Sequence, residues 1–207
     1  LVAVCGAFAL AWRLTGDPVA AWWGAAVFAL HPAPRDATAW VGARADVMAA
    51  VPCLCLAVWH FAPGTRGPGR LVGEGVCLLA ALACKESAAA VVGALAVGDW
   101  LRDGRPGAWR RAAWRAAPGL LLVAGYGVVR GFLLGHVTRY EPLTGDRLTT
   151  LASSLVSRAW ELGQLCWPAD GAVHYRRFGQ VATLAHPAVP LAAVACGAFA
   201  WLAWRCR

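Results

Sequence analysis

Apolar residues occur along the chain in long blocks, and most of the charge lies in the short connections between them. The blocks do not alternate apolar with polar positions, which argues against a β-barrel, whose segments alternate over ~10 residues. A helix needs roughly 20 apolar residues to cross a ~30 Å hydrocarbon core. We therefore predict an all-α, polytopic transmembrane bundle of about seven spans, at 1–13, 18–30, 45–62, 71–84, 87–101, 116–134 and 187–204.

Basic residues indicate which ends of these spans face the cytoplasm. Short connections rich in Lys and Arg resist translocation. Such connections occur at 63–70, at 102–115 and at the end of the chain, and we place all three in the cytoplasm. The remaining connections, 31–44, 84–87 and 135–186, are then external, and residues 1–207 form one transmembrane domain.

The longest external connection contains an amphipathic segment at 147–167. Leucines recur there at helical spacing from Leu148 to Leu165, and polar residues such as Arg158 and Glu161 occupy much of the opposite face. This pattern favours a helix that lies on the membrane surface. The alternative is an eighth span, and the two charges near its centre count against it.

Composition supports a membrane protein and offers little other chemistry. Of 207 residues 59% are hydrophobic and 14% are charged, against about 25% charged in soluble domains. The eight cysteines lie in or beside apolar blocks without metal-ligand spacing, so we interpret them as small hydrophobic residues and predict no metal or cofactor. We expect no nucleic-acid partner and place the remaining histidines in loops or interfaces: His60, His136, His174 and His186.

Four charged residues at span ends need partners, because a charge at membrane depth costs roughly 2.5 to 3.5 kcal/mol. They are Arg44, Asp46, Lys85 and Glu86. Their alternating signs would allow two salt bridges that only tie helix ends together. Alternatively, the two cations bind a lipid phosphate and stabilise it as a leaving group. The carboxylates would then orient an acceptor or act as a base.

Three segments carry a resemblance to a known family. "FALHPAPRDATAWVGARADVMAAV", residues 28–51, resembles "LHPVHTEAVAWISGRADLLAAL" of the transmembrane and tetratricopeptide-repeat O-mannosyltransferase-like proteins and their bacterial relatives, which are GT-C glycosyltransferases. "LACKESAAAVVGALAVGDWL", residues 82–101, resembles their "LSKETALTLPLLLLLYDLL". Residues 141–175, ending in "CWPADGAVHY", are similar to the next conserved stretch in the family. The likeness covers nearly the whole chain in the same order.

The resemblance implies an inverting glycosyltransferase in the bacterial cytoplasmic membrane, acting on its extracytoplasmic face. Its co-substrate would be a polyprenyl-phosphate sugar, with mannose or a similar hexose passed to a protein or glycan acceptor. The alternatives are a catalytically silent scaffold and a secondary transporter. Matches to the family pattern are His31, Pro32, Trp40, Arg44, Asp46, Lys85, Glu86 and Tyr175. Combined with the charge argument above, we expect Arg44 and Lys85 to bind the donor phosphate, Asp36, Asp46 and Glu86 to act as supporting acids, and His31, Arg35, Trp40 and Tyr175 to line the site.

Some of the family's pattern is altered or expected elsewhere. Pro34 and Arg35 replace a histidine and a threonine, and Asp36 replaces a glutamate. The chain opens on an apolar run and its single methionine is Met48, so we expect it to be a fragment. The resemblance then implies that the catalytic acid of the first external loop lies upstream of Leu1, and that any tetratricopeptide repeats also lie outside this chain.

Overall fold

The computed structural model describes residues 1–31, 44–135, 147–166 and 184–205. These residues form helices joined by short turns, with no strand among them, which confirms the all-α prediction for the described part of the chain. The α-helices are α1 (Val2–Thr15), α2 (Pro18–Leu30), α3 (Arg44–His60), α4 (Pro68–Cys84), α5 (Ala90–Asp103), α6 (Ala108–Leu134), α7 (Arg147–Cys166) and α8 (Ala188–Arg205). A short 3₁₀ helix, Glu86–Ala89, precedes α5.

The first of two compact units spans residues 1–137 and contains α1 to α6. Consecutive helices pack in pairs, α1 with α2, α3 with α4 and α5 with α6, and α3 also packs on α1. Leu56, Leu82 and Leu95 are central to the buried core where α3, α4 and α5 meet. This packing fixes the ends of the three helices relative to one another, and the charged residues lie at those ends.

The turns agree with the predicted connections at one end of the helices and differ at the other. The helix α4 ends at Cys84 and Lys85 is extended, which is the turn predicted at 84–87. By contrast, α6 already begins at Ala108, inside the connection predicted over 102–115, and α4 begins at Pro68. Those predicted connections were too long, because a basic residue can remain exposed on a helix and does not require a loop.

The turn between α5 and α6 depends on two glycines. Gly104 ends α5 with a φ of 45°, and Gly107 precedes α6 with a φ of 75°. Side chains with a Cβ rarely adopt this left-handed conformation. The turn is therefore confined to 104–107, and the basic residues that follow it belong to the first turns of α6.

One described helix is both long and apolar enough to cross a membrane. It is α6, whose most apolar stretch buries no residue inside the protein. Three shorter apolar helices have 10 to 17 residues, at Val2–Thr15, Pro18–Leu30 and Ala188–Leu202. Many large apolar side chains on the helices are exposed, such as Phe132 and Leu133 on α6.

The second compact unit, residues 138–207, contains the predicted amphipathic segment as α7. This helix packs its small and polar residues on α8, with Ala152 and Val156 buried against Ala192. The leucine face is only partly covered, since Leu148, Leu151 and Leu165 stay exposed. An exposed leucine row of this kind fits the predicted surface helix, and Arg158 pairs with Glu161 on the helix at 2.7 Å.

Candidate functional site

The structure describes five of the nine predicted site residues. His31, Arg44, Asp46, Lys85 and Glu86 lie in the described ranges. The other four predicted site residues lie outside the described residues: Arg35, Asp36, Trp40 and Tyr175.

Asp46 and Lys85 come together across two helix ends. Asp46 is in the first turn of α3 and Lys85 follows the last residue of α4, and the Lys85 ammonium pairs with Asp46 Oδ1. Three alanines, Ala49, Ala81 and Ala88, are buried beneath this pair and let the backbones approach closely. The pair itself is partly solvated, with 39% of the Lys85 side chain and 44% of the Asp46 side chain exposed.

Glu86 belongs to a chain of contacts that leads to α6. Its Oε2 lies 3.4 Å from Arg130 Nη2, and Arg130 Nη1 donates to the Tyr126 hydroxyl at 3.2 Å. The Tyr126 hydroxyl donates in turn to the Leu82 carbonyl at 3.0 Å. The α6 residues therefore hold Glu86 beside the end of α4.

Arg130 is a site residue that the sequence analysis did not single out. The available signal was a lone cation in the apolar run "GYGVVRGFLL", where an ionisable residue marks a functional position with a partner. A tyrosine four residues earlier lies on the same helix face. Arg130 Nε is buried without a hydrogen-bond partner among the described residues.

Arg44 differs from its neighbours because it is exposed and forms no ion pair with a carboxylate in the described part of the chain. As the first residue of α3, it brings a cation to the positive end of the helix dipole, where Asp46 is favourable and Arg44 is not. His31 is the C-cap of α2, where its backbone N–H donates to the Val27 carbonyl at 2.9 Å. We call Arg44, Asp46, Lys85, Glu86, Tyr126 and Arg130 the Lys85 cluster.

A second set of charges lies at the opposite ends of α3, α4 and α5. His60 Nε2 is 3.1 Å from Asp99 Oδ2, and His60 Nδ1 is 3.7 Å from Glu74 Oε1. The side chains of His60 and Glu74 are 6% exposed and that of Asp99 is 10% exposed. This contradicts the placement of His60 in a loop or interface, because both ring nitrogens face buried carboxylates.

Three arginines surround these buried groups. Arg66 Nε donates to Glu74 Oε2 at 3.1 Å, and Arg70 Nε lies 3.4 Å from Glu74 Oε1. Arg115 Nη1 is 3.5 Å from Asp99 Oδ1. We call the six residues the His60 cluster: His60, Arg66, Arg70, Glu74, Asp99 and Arg115. The sequence signal for it was an ionisable residue within each of three predicted spans.

The two clusters are at opposite ends of the same helices. Fourteen residues of α3 separate Asp46 from His60, which is about 21 Å at 1.5 Å per residue. Within the described ranges, no group of three or more His, Cys, Asp or Glu side chains is arranged to hold a metal ion. The seven cysteines in those ranges are free thiols.

Comparison of the chain with protein-family models, with curated proteins and with solved structures gave no match. The assignment of function therefore depends on the chemistry of the two clusters and on the resemblance described above.

Proposed function

We propose that the protein is a multi-pass membrane glycosyltransferase that moves a hexose from a polyprenyl-phosphate donor to a protein or glycan acceptor on the extracytoplasmic face. The wide apolar surface of the described helices supports the membrane part of this proposal. An exposed apolar patch far larger than a soluble monomer tolerates requires a lipid or protein cover. In this proposal the seven apolar blocks of the sequence are spans.

The position of Arg44 is the observation that carries the chemistry. Arg44 is an exposed cation at the start of α3 with no ion pair to a described carboxylate, and it opposes the helix dipole, so it does not serve the stability of α3. An anion at the same place would be bound by Arg44 and by the free N–H groups of the helix start. A donor phosphate has the charge and the oxygen geometry that an arginine fork binds.

The other residues of the Lys85 cluster have supporting roles in this proposal. Lys85, held by Asp46, supplies a second positive charge to the phosphate. The acceptor oxygen attacks the anomeric carbon as its proton passes to a carboxylate that this proposal places outside the described residues. The bond from that carbon to the phosphate oxygen breaks, and the lipid phosphate leaves with the electron pair. Fixed cations stabilise the charge that develops on this leaving group. Asp46 and Glu86 each pair with a cation, so we assign neither as the base.

The scaffold alternative is favoured by a specific observation too. Asp46 pairs with Lys85, and Glu86 pairs with Arg130. In each ion pair the two charges neutralise each other. A protein that used these groups only to tie its helix ends would show the same two pairs. The two functions differ in what Arg44 does, because Arg44 belongs to neither pair.

Arg44→Ala tests the proposal in the product of the complete gene. We expect transfer from a polyprenyl-phosphate hexose to fall by about 10²–10³, as when one transition-state donor is removed. Arg44→Lys should recover part of the rate, since a point charge lacks the arginine fork. The matched control is Arg110→Ala, which removes an exposed arginine at the other end of the helices.

The amount of monodisperse protein after detergent extraction separates the two functions. Glycosyl transfer predicts a normal yield of Arg44→Ala with little activity. No transfer by the wild type would favour the silent scaffold. Equal transfer by Arg44→Ala, Arg110→Ala and the wild type, or activity lost only in proportion to folded protein, would remove Arg44 from the donor site.

A further inference from the structure

Two adjoining pockets lie at the His60 end of the first unit. One is a cavity of about 80 Å³ between α4, α5 and α6, with mostly apolar walls. The other is an open, polar pocket of about 390 Å³ at the turn between α5 and α6. His60, Asp99 and Arg115 line both pockets, so the two adjoin at these residues, and we call them together the groove, with an apolar end and a charged end.

The apolar end is lined by leucines and by two glycines, which have no side chain to occupy it. Leu71, Leu78 and Leu122 line the walls, together with Gly75 of α4 and Gly119 of α6. A Cβ at Gly75 would already contact Leu122 Cδ1 at 3.5 Å, so any larger side chain there would fill this space.

Two buried polar atoms mark the junction of the apolar and charged ends. His60 Nδ1 and Glu74 Oε1 have no hydrogen-bond partner among the described residues, and each belongs to a side chain that is 6% exposed. Buried polar atoms of this kind are normally satisfied by water, an ion or a ligand. The groove therefore contains a polar position deep beside its apolar walls.

The charged end has an excess of arginine. Arg102, Arg105 and Arg115 line it, opposed by Asp99 and Asp103. Both acids are already paired, Asp103 with Arg111 at 2.6 Å and Asp99 with His60. Arg102 and Arg105 form no ion pair with a described carboxylate, so they leave two unneutralised guanidinium groups at the mouth of the groove.

We propose that this groove binds an anionic phospholipid, with the phosphate on Arg102 and Arg105 and part of one acyl chain between Leu71, Leu78 and Leu122. Guanidinium groups bind phosphate oxygens in pairs, and the glycine-lined cavity takes apolar carbon. The predicted topology puts this end at the cytoplasmic leaflet, which carries anionic headgroups. His60, where the two ends of the groove meet, is about 21 Å along α3 from Asp46 of the Lys85 cluster, and lipid binding here does not depend on sugar transfer.

The test is lipid binding to the purified protein of the complete gene, followed by native mass spectrometry. We expect the first phosphatidylglycerol to bind about tenfold more tightly than phosphatidylcholine, because each basic residue near a headgroup adds to the attraction. Arg102→Gln with Arg105→Gln should abolish that preference. Arg13→Gln with Arg110→Gln removes the same charge from other surface positions and should retain it.

A second pair of variants tests the apolar end. Gly75→Leu should weaken binding of both lipids, whereas Gly69→Leu, which meets open space on the same helix, should not. Glycerol phosphate, which has no acyl chain, should compete poorly. If the double glutamine variant is unstable, Arg102→Lys with Arg105→Lys takes its place and should lower the preference only in part.

Three results would overturn the proposal. One is equal binding of the two lipids to the wild type. Another is an unchanged preference in the folded glutamine or lysine variants. The third is competition by glycerol phosphate at the concentration of the lipid, which would assign the arginines to a soluble phosphate.

Discussion

The Lys85 cluster and the His60 cluster both pair basic with acidic residues at opposite ends of the same helices, yet they differ in burial. The Lys85 and Asp46 side chains are 39% and 44% exposed, whereas those of His60 and Glu74 are 6% exposed. Exposed ion pairs contribute about 0–1 kcal/mol to stability. Removal of one member of a buried pair costs about 3–5 kcal/mol, since the remaining charge has no partner.

This difference in burial indicates a structural role for the His60 end of the helices and a binding role for the Lys85 end. The His60 cluster holds α3, α4 and α5 together, and its charges have little freedom to change partners. The Lys85 cluster is open to solvent, and its Arg44 forms no ion pair with a carboxylate in the described part of the chain. A site that binds and releases a charged substrate needs charges that are open to solvent, as in the Lys85 cluster. The buried, paired charges of the His60 cluster do not suit that role.

The largest expected effect is at the His60 end. Glu74→Ala leaves His60, Arg66 and Arg70 without the carboxylate that they share, so we expect a loss of about 3–5 kcal/mol in the free energy of unfolding. The measurement is the thermal transition of the protein in a fixed detergent. Glu161→Ala removes a carboxylate from an exposed pair on α7 and should cost no more than about 0.5 kcal/mol. Equal transitions for the two variants would remove the distinction between buried and exposed clusters.

A smaller effect is expected at the Lys85 end. Asp46→Asn and Lys85→Met should each change the free energy of unfolding by less than about 1 kcal/mol. The doubly reversed variant, Asp46→Lys with Lys85→Asp, should restore the ion pair and fold normally. It should transfer sugar poorly, because the cation has moved from the α4 end to the α3 end. Normal sugar transfer by the doubly reversed variant would show that the ion pair only holds the two helix ends together.

The smallest effect extends the comparison to the ion pair between Asp103 and Arg111 at the turn between α5 and α6. The hydrogen bond from Arg111 holds the pKa of Asp103 below its ordinary value of 3.8. A lowered pKa in the folded state stabilises the protein above the unfolded pKa, and this contribution is lost as the pH falls through the folded pKa. We expect a slight decrease in the thermal transition below about pH 4. The decrease should be smaller in Arg111→Gln, and an identical acid profile in that variant would contradict the assignment.

The sequence predicted the helices of the fold and one of its decisive turns. Uninterrupted apolar blocks identified α1 to α5, and the "CKES" motif located the turn at Lys85. Charge at the two span ends also anticipated that Asp46 and Lys85 lie on one side of the helices. Which of the predicted acids Lys85 would contact depended on the packing of Ala49, Ala81 and Ala88, which no local pattern encodes.

The burial of His60 could not be predicted in the same way. A helix that is apolar on nearly all faces has no distinct polar side in its sequence pattern. The sequence therefore does not show which side faces protein and which faces lipid. His60 at the end of an apolar block is equally consistent with an interface and with a core. Only the joint placement of Glu74 and Asp99 by two other helices distinguishes the two. The early start of α6 was missed for a related reason, since arginine is also a good helix former.

Pro52 lies inside α3, roughly midway between Asp46 and His60. Proline has no N–H to donate to the carbonyl of Met48, one turn earlier, so the helix lacks one rung of its hydrogen-bond ladder at that level. A helix that lacks a backbone hydrogen bond bends most easily at that turn. Any bend in α3 is therefore taken up at Pro52, between the half anchored by His60 and the half anchored by Ala49 and the Asp46–Lys85 pair.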